Sequence, residues 1–351
     1  MILSFVFPSS HHRTGGVRVL YEMANGLARR GHEVHFVHGP SNPDLIRSLD
    51  DLPPDVRFED EIVHHIVDTL DAPGLPASEV VFHHAPPPSL GLPVVIVQGF
   101  RMFTEQIEVG LLRKRAPKAC IASWLVDVGL RYGVAPEQLW HVPLGVDHGT
   151  FAVRTPQDRR RYDVTMLWHP HREKGFPVGV QALAELGRRM PELRANVFGM
   201  DPLPGPLPNG VQFWPAPDHP TLADELYNHS RVFVQPSFHE GFGYTAVEAM
   251  ACGCALVTTD NGGSRDYGIP DETALVVPPG DPIGLADAVQ RLLGDAPLRT
   301  RLAYAGADLV RGRFDWDNTA AVLEPHLESY VADPERYRRQ PAAPVGQGGG
   351  A

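Results

Sequence analysis

Short apolar runs alternate with amphipathic stretches along most of the chain. Ile2–Phe7 reads as a buried strand, followed by a glycine turn at Thr14-Gly15-Gly16. A helix is predicted over residues 17–30, with Val19, Leu20, Met23 and Leu27 at helical spacing and Arg29-Arg30 in its last turn. Strands are predicted at Glu33–His38, Val94–Val97, Ala119–Ala122 and Leu139–Val142, with a helix near Ser123–Tyr132. Around Thr150–Arg161 the pattern gives way to polar and basic residues, read as a linker. The alternation then restarts. Strands are predicted at 163–168, 194–198, 211–214, 232–235 and 255–258, and helices at 175–189, 222–228, 245–251 and 285–293. Strands separated by helices imply parallel sheets covered on both faces. The expected fold is therefore α/β, two doubly wound parallel-sheet Rossmann-like domains facing across a cleft. The first is expected over 1–152 and the second over 162–312. A helix over 313–332 is expected to return toward the first domain. Residues 333–351, ending Gln-Gly-Gly-Gly-Ala, read as a disordered tail.

A length of 351 residues suits two domains, each with its own core. The formal charge of −11 argues against a general nucleic-acid binder, so any phosphate must be held locally. Three cysteines are too few for a disulfide framework and fit a reducing, cytoplasmic setting. The short apolar start lacks the basic residues and cleavage site of an export signal, and no apolar run is long enough to span a bilayer.

The chemistry concentrates in Val232-Phe-Val-Gln-Pro-Ser-Phe-His-Glu240-Gly-Phe-Gly-Tyr-Thr-Ala-Val-Glu248. A strand ends, a glycine turn follows, and a helix starts near Gly243. The amides of Gly243, Tyr244 and Thr245 and the helix dipole favour an anion there. Glu240 and Glu248 flank that start. Carboxylates beside a phosphate make sense when they accept hydrogen bonds from hydroxyls, as a sugar and a ribose would supply. The same stretch also reads G-x-G-x-x-A over Gly241–Ala246, with Asp260 about 20 residues on, the fingerprint of NAD-binding enzymes. That fingerprint usually opens a domain, and it leaves both glutamates without a role.

These residues resemble a known family. Glu240 and Glu248 look like the E-x7-E motif of retaining GT-B glycosyltransferases, glycosyltransferase family 4 in particular. Thr14-Gly15-Gly16 is similar to the family's N-terminal glycine loop and Val142-Pro-Leu-Gly-Val-Asp147 to its "PNGVD" stretch. Glu173-Lys174-Gly175 resembles "EKG", Asn261-Gly262-Gly263 the "GG" turn, and Val277-Pro-Pro-Gly-Asp281 "VPPGD". The resemblance implies transfer of a hexose or deoxyhexose from a nucleoside diphosphate sugar to an acceptor hydroxyl, with retention and without a metal or other cofactor. The acceptor would be a glycan, a lipid-linked molecule or a small natural product. It implies Lys174 on the donor diphosphate, Glu240 on the donor sugar and Glu248 on the ribose. Gly15, Gly16, Gly241, Phe242, Gly243, Tyr244 and Thr245 would complete the donor site.

Two departures stand out. The family's arginine five residues before the lysine is replaced by His169, with Arg172 nearby as a substitute charge. Gln98 stands where a histidine often lies near the acceptor, and Gln98 cannot take up a proton. His11, Arg18, Gln98 and Arg101 are the acceptor-side candidates. Three other readings remain at this stage: an NAD-dependent oxidoreductase, a nucleotide-sugar epimerase, and a catalytically silent nucleotide-sugar-binding subunit. Despite 17 histidines, no H-x-x-x-H or Cys/His quartet suggests zinc. Asp315-Trp-Asp317 is read as a helix cap rather than a metal motif. The basic run Arg113-Lys114-Arg115 with Lys118 is the candidate for a peripheral membrane contact.

Overall fold

The computed structural model describes residues 1–7, 15–39, 48–52, 57–83, 90–100 and 105–339. The chain divides into two compact units, residues 1–145 with 316–351, and residues 146–315.

The first unit holds seven parallel strands: β1 Ile2–Phe7, β2 Glu33–His38, β3 Val63–Ile66, β4 Val80–Phe82, β5 Leu92–Val97, β6 Lys118–Cys120 and β7 Leu139–His141. Their order is β3-β2-β1-β4-β5-β6-β7. Helix α1 (Gly15–Arg29) links β1 to β2, α2 (Glu105–Leu112) links β5 to β6, and α3 (Ser123–Arg131) links β6 to β7. Val19, Leu20, Met23 and Leu27 of α1 are buried, as the spacing predicts. Phe5 stacks on Phe82 at 4.5 Å, and Tyr21 packs on Phe36 at 5.1 Å, so aromatic rings fill the centre of this unit.

The second unit has β8 Tyr162–Leu167, β9 Ala195–Gly199, β10 Val211–Pro215, β11 Ser230–Gln235, β12 Ala255–Thr259 and β13 Ala274–Val277. All are parallel, in the order β10-β9-β8-β11-β12-β13. This is a doubly wound order that reverses direction between β8 and β11, and in such sheets ligands bind beyond the strand ends at the reversal. Helices α4 (Phe176–Arg189), the single turn α5 (His219–Thr221), α6 (Tyr244–Ala251), α7 (Pro282–Gly294) and α8 (Ala296–Arg313) cover the sheet. Val164, Met166, Leu183, Leu186, Val234, Val257, Leu285, Val289 and Leu302 form its continuous core. Helix α9 (Trp316–Ala332) belongs to the first unit, where Asp317 pairs with Arg29 at 2.8 Å and Glu324 bonds His32 at 3.0 Å.

Three expectations change. The stretch 150–161 is part of the second unit and not a free linker. Arg160 is buried there, and its guanidinium donates to the carbonyls of Thr155, Tyr227, Ser230 and Cys252. A fork of five donors can satisfy itself on backbone oxygens, so a basic residue need not face water. Lys118 is also buried, with Nζ donating to the Lys114 carbonyl at 2.5 Å, and burial lowers its pKa to about 8. It leaves the proposed membrane patch; Arg113 and Arg115 are exposed and Lys114 half-buried. In the segment read as a tail, Pro334–Tyr337 forms a 3-10 turn whose Tyr337 is buried against Trp140 and Tyr330. Residues 340–351 lie outside the described residues.

Candidate active site

The loops after β8 and β11 meet because two backbone features allow it. Arg172–Lys174 forms one 3-10 turn, closed by Gly175 at φ +65°. A Cβ on Gly175 would lie 2.0 Å from the Pro236 carbonyl oxygen, so only glycine lets this turn reach the end of β11. The Phe238 amide donates to the Glu173 carbonyl at 2.7 Å and the His239 amide to the same oxygen at 3.3 Å, locking the loops together. Lys174 and Glu240 consequently converge, with Nζ 2.7 Å from Oε2.

Glu240 is buried and fully held. Ser237 Oγ donates to its other carboxylate oxygen at 2.8 Å, and its amide donates to the Asn261 carbonyl at 2.9 Å. Ser237 is itself anchored, its carbonyl accepting from Thr259 Oγ1. Asn261 Nδ2 donates to Gln235 Oε1 at 3.2 Å, and its Oδ1 accepts from the Ser264 amide at 2.9 Å. The acid therefore sits on a buried polar network drawn from β11, β12 and the turn after β12. Lys174 keeps 29% of its side-chain surface exposed, against 5% for Glu240, so the ammonium is the accessible member of the pair.

Three residues beyond Glu240, the chain enters α6 through Gly243 at φ +103°. A Cβ there would fall 2.2 Å from Tyr267 Oη and 2.7 Å from Gln235 Nε2. That wall leaves room only for glycine at the tight entry to α6, whose Ala246 and Val247 amides donate to the Gly243 carbonyl at 3.1 and 3.3 Å. Tyr244 and Thr245 are half-buried, and Glu248 is buried one turn on. Gly241 is half-buried. The Phe242 ring is packed against Tyr267 and Phe314, which leaves its backbone as the part that can meet a ligand.

His169 is half-buried at the end of β8. Its Nδ1 accepts from the His171 amide at 3.1 Å, and the two rings meet edge-on at 4.7 Å. Burial, then Lys174 and His171, hold its pKa below the ordinary imidazole value against the opposite pull of Asp201 and Glu240. Arg172 is exposed. In the first unit, Gly15 and Gly16 open α1, and Gln98 Nε2 donates to the Gly16 carbonyl at 2.9 Å. Arg18 lies 3.8 Å from Glu22 on the same helix. His11 and Arg101 lie outside the described residues.

The NAD-dependent reading weakens on this geometry. Asp260, the acid of the NAD fingerprint, is held by Arg265 at 2.7 and 3.0 Å, and that bond keeps its carboxyl below the ordinary range. No group of three or more His, Cys, Asp or Glu that could hold a metal occurs among the described residues. No helix there is long and apolar enough to cross a membrane. The polar support from Ser237, Asn261, Gln235 and Tyr267 was not anticipated from sequence. Ser237 and Asn261 lie next to recognised motifs, whereas nothing in the spacing points to Tyr267.

Comparison with known proteins agrees with the architecture. Residues 171–308 match the family model described as Glycosyl transferases group 1. The chain is 32% identical over 243 residues to a D-inositol 3-phosphate glycosyltransferase of Xylanimonas cellulosilytica, covering 62% of this chain and 56% of that protein. It is 28% identical over 233 residues to a glycogen synthase of Mycobacterium tuberculosis, covering 63% and 55%. The matched regions span about half the length of these curated relatives. Among solved structures, Anabaena HepE in complex with UDP-glucose superposes with a TM-score of 0.72 at 17% identity, covering 94% of this chain and 100% of that one. Sucrose-phosphate synthase from Thermosynechococcus elongatus gives 0.68 at 19%, covering 94% and 99%. The chain thus consists of two parallel-sheet α/β domains of the GT-B glycosyltransferase fold, the second of which carries a glycosyl transferases group 1 domain.

Proposed function

We propose that this chain is a retaining glycosyltransferase that moves a hexose or deoxyhexose from a nucleoside diphosphate sugar to an acceptor hydroxyl. The observation that carries the reading is the Lys174–Glu240 pair, 2.7 Å apart at the sheet reversal and three residues before the glycine entry to α6. An accessible ammonium beside a helix start suits a diphosphate, whose charge grows as the glycosidic bond breaks. A carboxylate held by Ser237 and Lys174 keeps lone pairs for sugar hydroxyls, and Glu248 serves the ribose in the same way. The HepE structures are complexes with UDP and glucose and with UDP-glucose, which supports a nucleotide-sugar donor here.

The reaction in this reading proceeds on one face of the sugar. The acceptor oxygen bonds to the anomeric carbon as the bond to the phosphate oxygen breaks, and the acceptor proton passes to the departing phosphate. Such a step needs no separate base. This suits Gln98, which has no titratable group and whose amide is engaged by Gly16. The acceptor, a glycan, lipid-linked or small molecule, falls to the first unit, with Arg18 as a candidate contact.

The test is a panel of UDP-, GDP-, TDP- and ADP-sugars beside NAD, read by thermal shift and then by product formation. A nucleotide sugar is expected to stabilise the protein, by about 2.7 kcal/mol at a hundredfold excess over Kd. Stabilisation by NAD and by none of the sugars contradicts the reading. Conversion of the donor without an acceptor would instead indicate an epimerase.

A further inference from the structure

The loop after β8 reads His169-Pro170-His171, and its geometry decides where the ring proton of His169 sits. The His171 amide donates to His169 Nδ1 at 3.1 Å. That nitrogen must offer a lone pair, so the proton of the neutral ring is on Nε2. Pro170 fixes its own φ and has no N–H, so the turn brings the His171 amide back to the ring without a competing donor. A second proton on the ring would set N–H against N–H. It would also place a cation beside Lys174 and His171, in a half-buried position that already disfavours charge. Asp201 and Glu240 pull the other way but do not prevail, and Glu240 is already engaged by Lys174 and Ser237.

We propose that His169-Pro170-His171 is a tautomer lock that presents the Nε2–H of His169 as a hydrogen-bond donor to the donor diphosphate. The contact with the diphosphate rests on the nucleotide-sugar reading above; the lock does not. The family this chain resembles has an arginine at that position, which would meet the phosphate as a cation with two parallel N–H donors, where the imidazole offers one N–H. Position 169 therefore contributes direction, and Lys174 supplies charge beside it.

Two measurements on the full chain test this. The first uses 15N-histidine labelling and long-range 1H–15N correlation, with His169→Gln for assignment and no ligand present. His169 is expected to hold its proton on Nε2 in the neutral ring and to take up a second proton only below the ordinary imidazole range. Pro170→Gly is expected to mix the tautomers and let the ring protonate nearer the ordinary imidazole value. An Nδ1–H ring, or one that protonates near pH 6.5 in the intact chain, overturns the lock. The second is calorimetric titration with UDP, GDP, TDP and ADP. For the nucleotide that binds, His169→Leu is expected to weaken affinity about tenfold, whereas His169→Gln, which keeps a neutral N–H donor, restores most of it. His169→Arg is expected to tighten binding about tenfold and to steepen its salt dependence. Unchanged affinity in His169→Leu overturns the contact. If none of the four binds the parent protein, the nucleotide reading and the contact both fall, while the labelling result still decides the lock.

Discussion

In the second unit, every oxygen of the Glu240 carboxylate has a partner, and the supporting residues come from β11, β12 and the turn after β12. At the corresponding strand end of the first unit, after β5, Gln98 donates to the Gly16 carbonyl and the Phe100 ring packs on Tyr132 at 5.4 Å. Four histidines of that unit pair with one another. His35 Nδ1 meets His65 Nε2 at 2.9 Å, and His38 Nε2 meets His64 Nδ1 at 2.9 Å, joining β2 to β3. The second unit thus presents a built charged site, while the first uses its histidines to hold strands together. An invariant diphosphate rewards fixed geometry, and acceptors of differing shape do not. In the function proposed above, the contrast puts donor chemistry in a buried polar network and leaves acceptor choice to loops.

The strongest way to break this contrast is to remove one member of the charged pair. Lys174→Ala is expected to lower kcat/KM about 10²–10³-fold. Glu240→Gln, which keeps shape and loses charge, is expected to do the same with an unchanged far-ultraviolet circular dichroism spectrum. Transfer at the parent rate by Lys174→Ala would place the donor diphosphate elsewhere. Next in size is Gly243→Ala. The φ of +103° and the 2.2 Å approach to Tyr267 Oη predict a loss of roughly 1–3 kcal/mol, seen as a melting temperature several degrees lower. Tyr267→Phe in the same chain should return part of it; no recovery would mean the backbone angle alone is responsible.

The paired histidines of the first unit should make its stability respond to pH. Burial, followed by the neighbouring imidazoles, lowers the pKa of His38 to about 3 and lowers those of His64 and His65. The folded form keeps these rings neutral, whereas the unfolded chain protonates them near 6.5. Stability from this source is therefore complete above pH 6.5 and is lost as pH falls below it. The loss amounts to about 1.4 kcal/mol per pH unit for a fully shifted ring. Urea midpoints between pH 7.5 and 5 check the sign, and His38→Asn should flatten the slope. A slope that His38→Asn leaves unchanged would assign it to other groups. The smallest effect concerns Gly16, where a Cβ would lie 2.6 Å from Gln98 Oε1. Gly16→Ala should cost about 1 kcal/mol, and Gln98→Ala should cancel most of that in a double-mutant cycle.

The sequence made much of the second unit legible, because Glu240, Gly243 and Glu248 sit at spacings that only a strand–turn–helix reconciles. Helix α8 went unread although Leu298, Leu302 and Val310 are buried along it, since its arginines dilute the apolar face. Strand β3 went unread because two histidines stand between its exposed Val63 and Ile66, which leaves no apolar run. Arg160 and Lys118 were misplaced for one reason. A basic residue reads as solvated, and only coordinates reveal that backbone carbonyls satisfy it. The proton position on His169 likewise depends on one amide of the next turn, which no spacing encodes.

The most direct measurement is a crystal structure of the protein with a bound nucleoside diphosphate. The account predicts the diphosphate within hydrogen-bonding distance of Lys174 Nζ and of the first amides of α6, with the ribose on Glu248. A diphosphate bound away from Lys174, with the Lys174–Glu240 pair facing only protein and water, would contradict it.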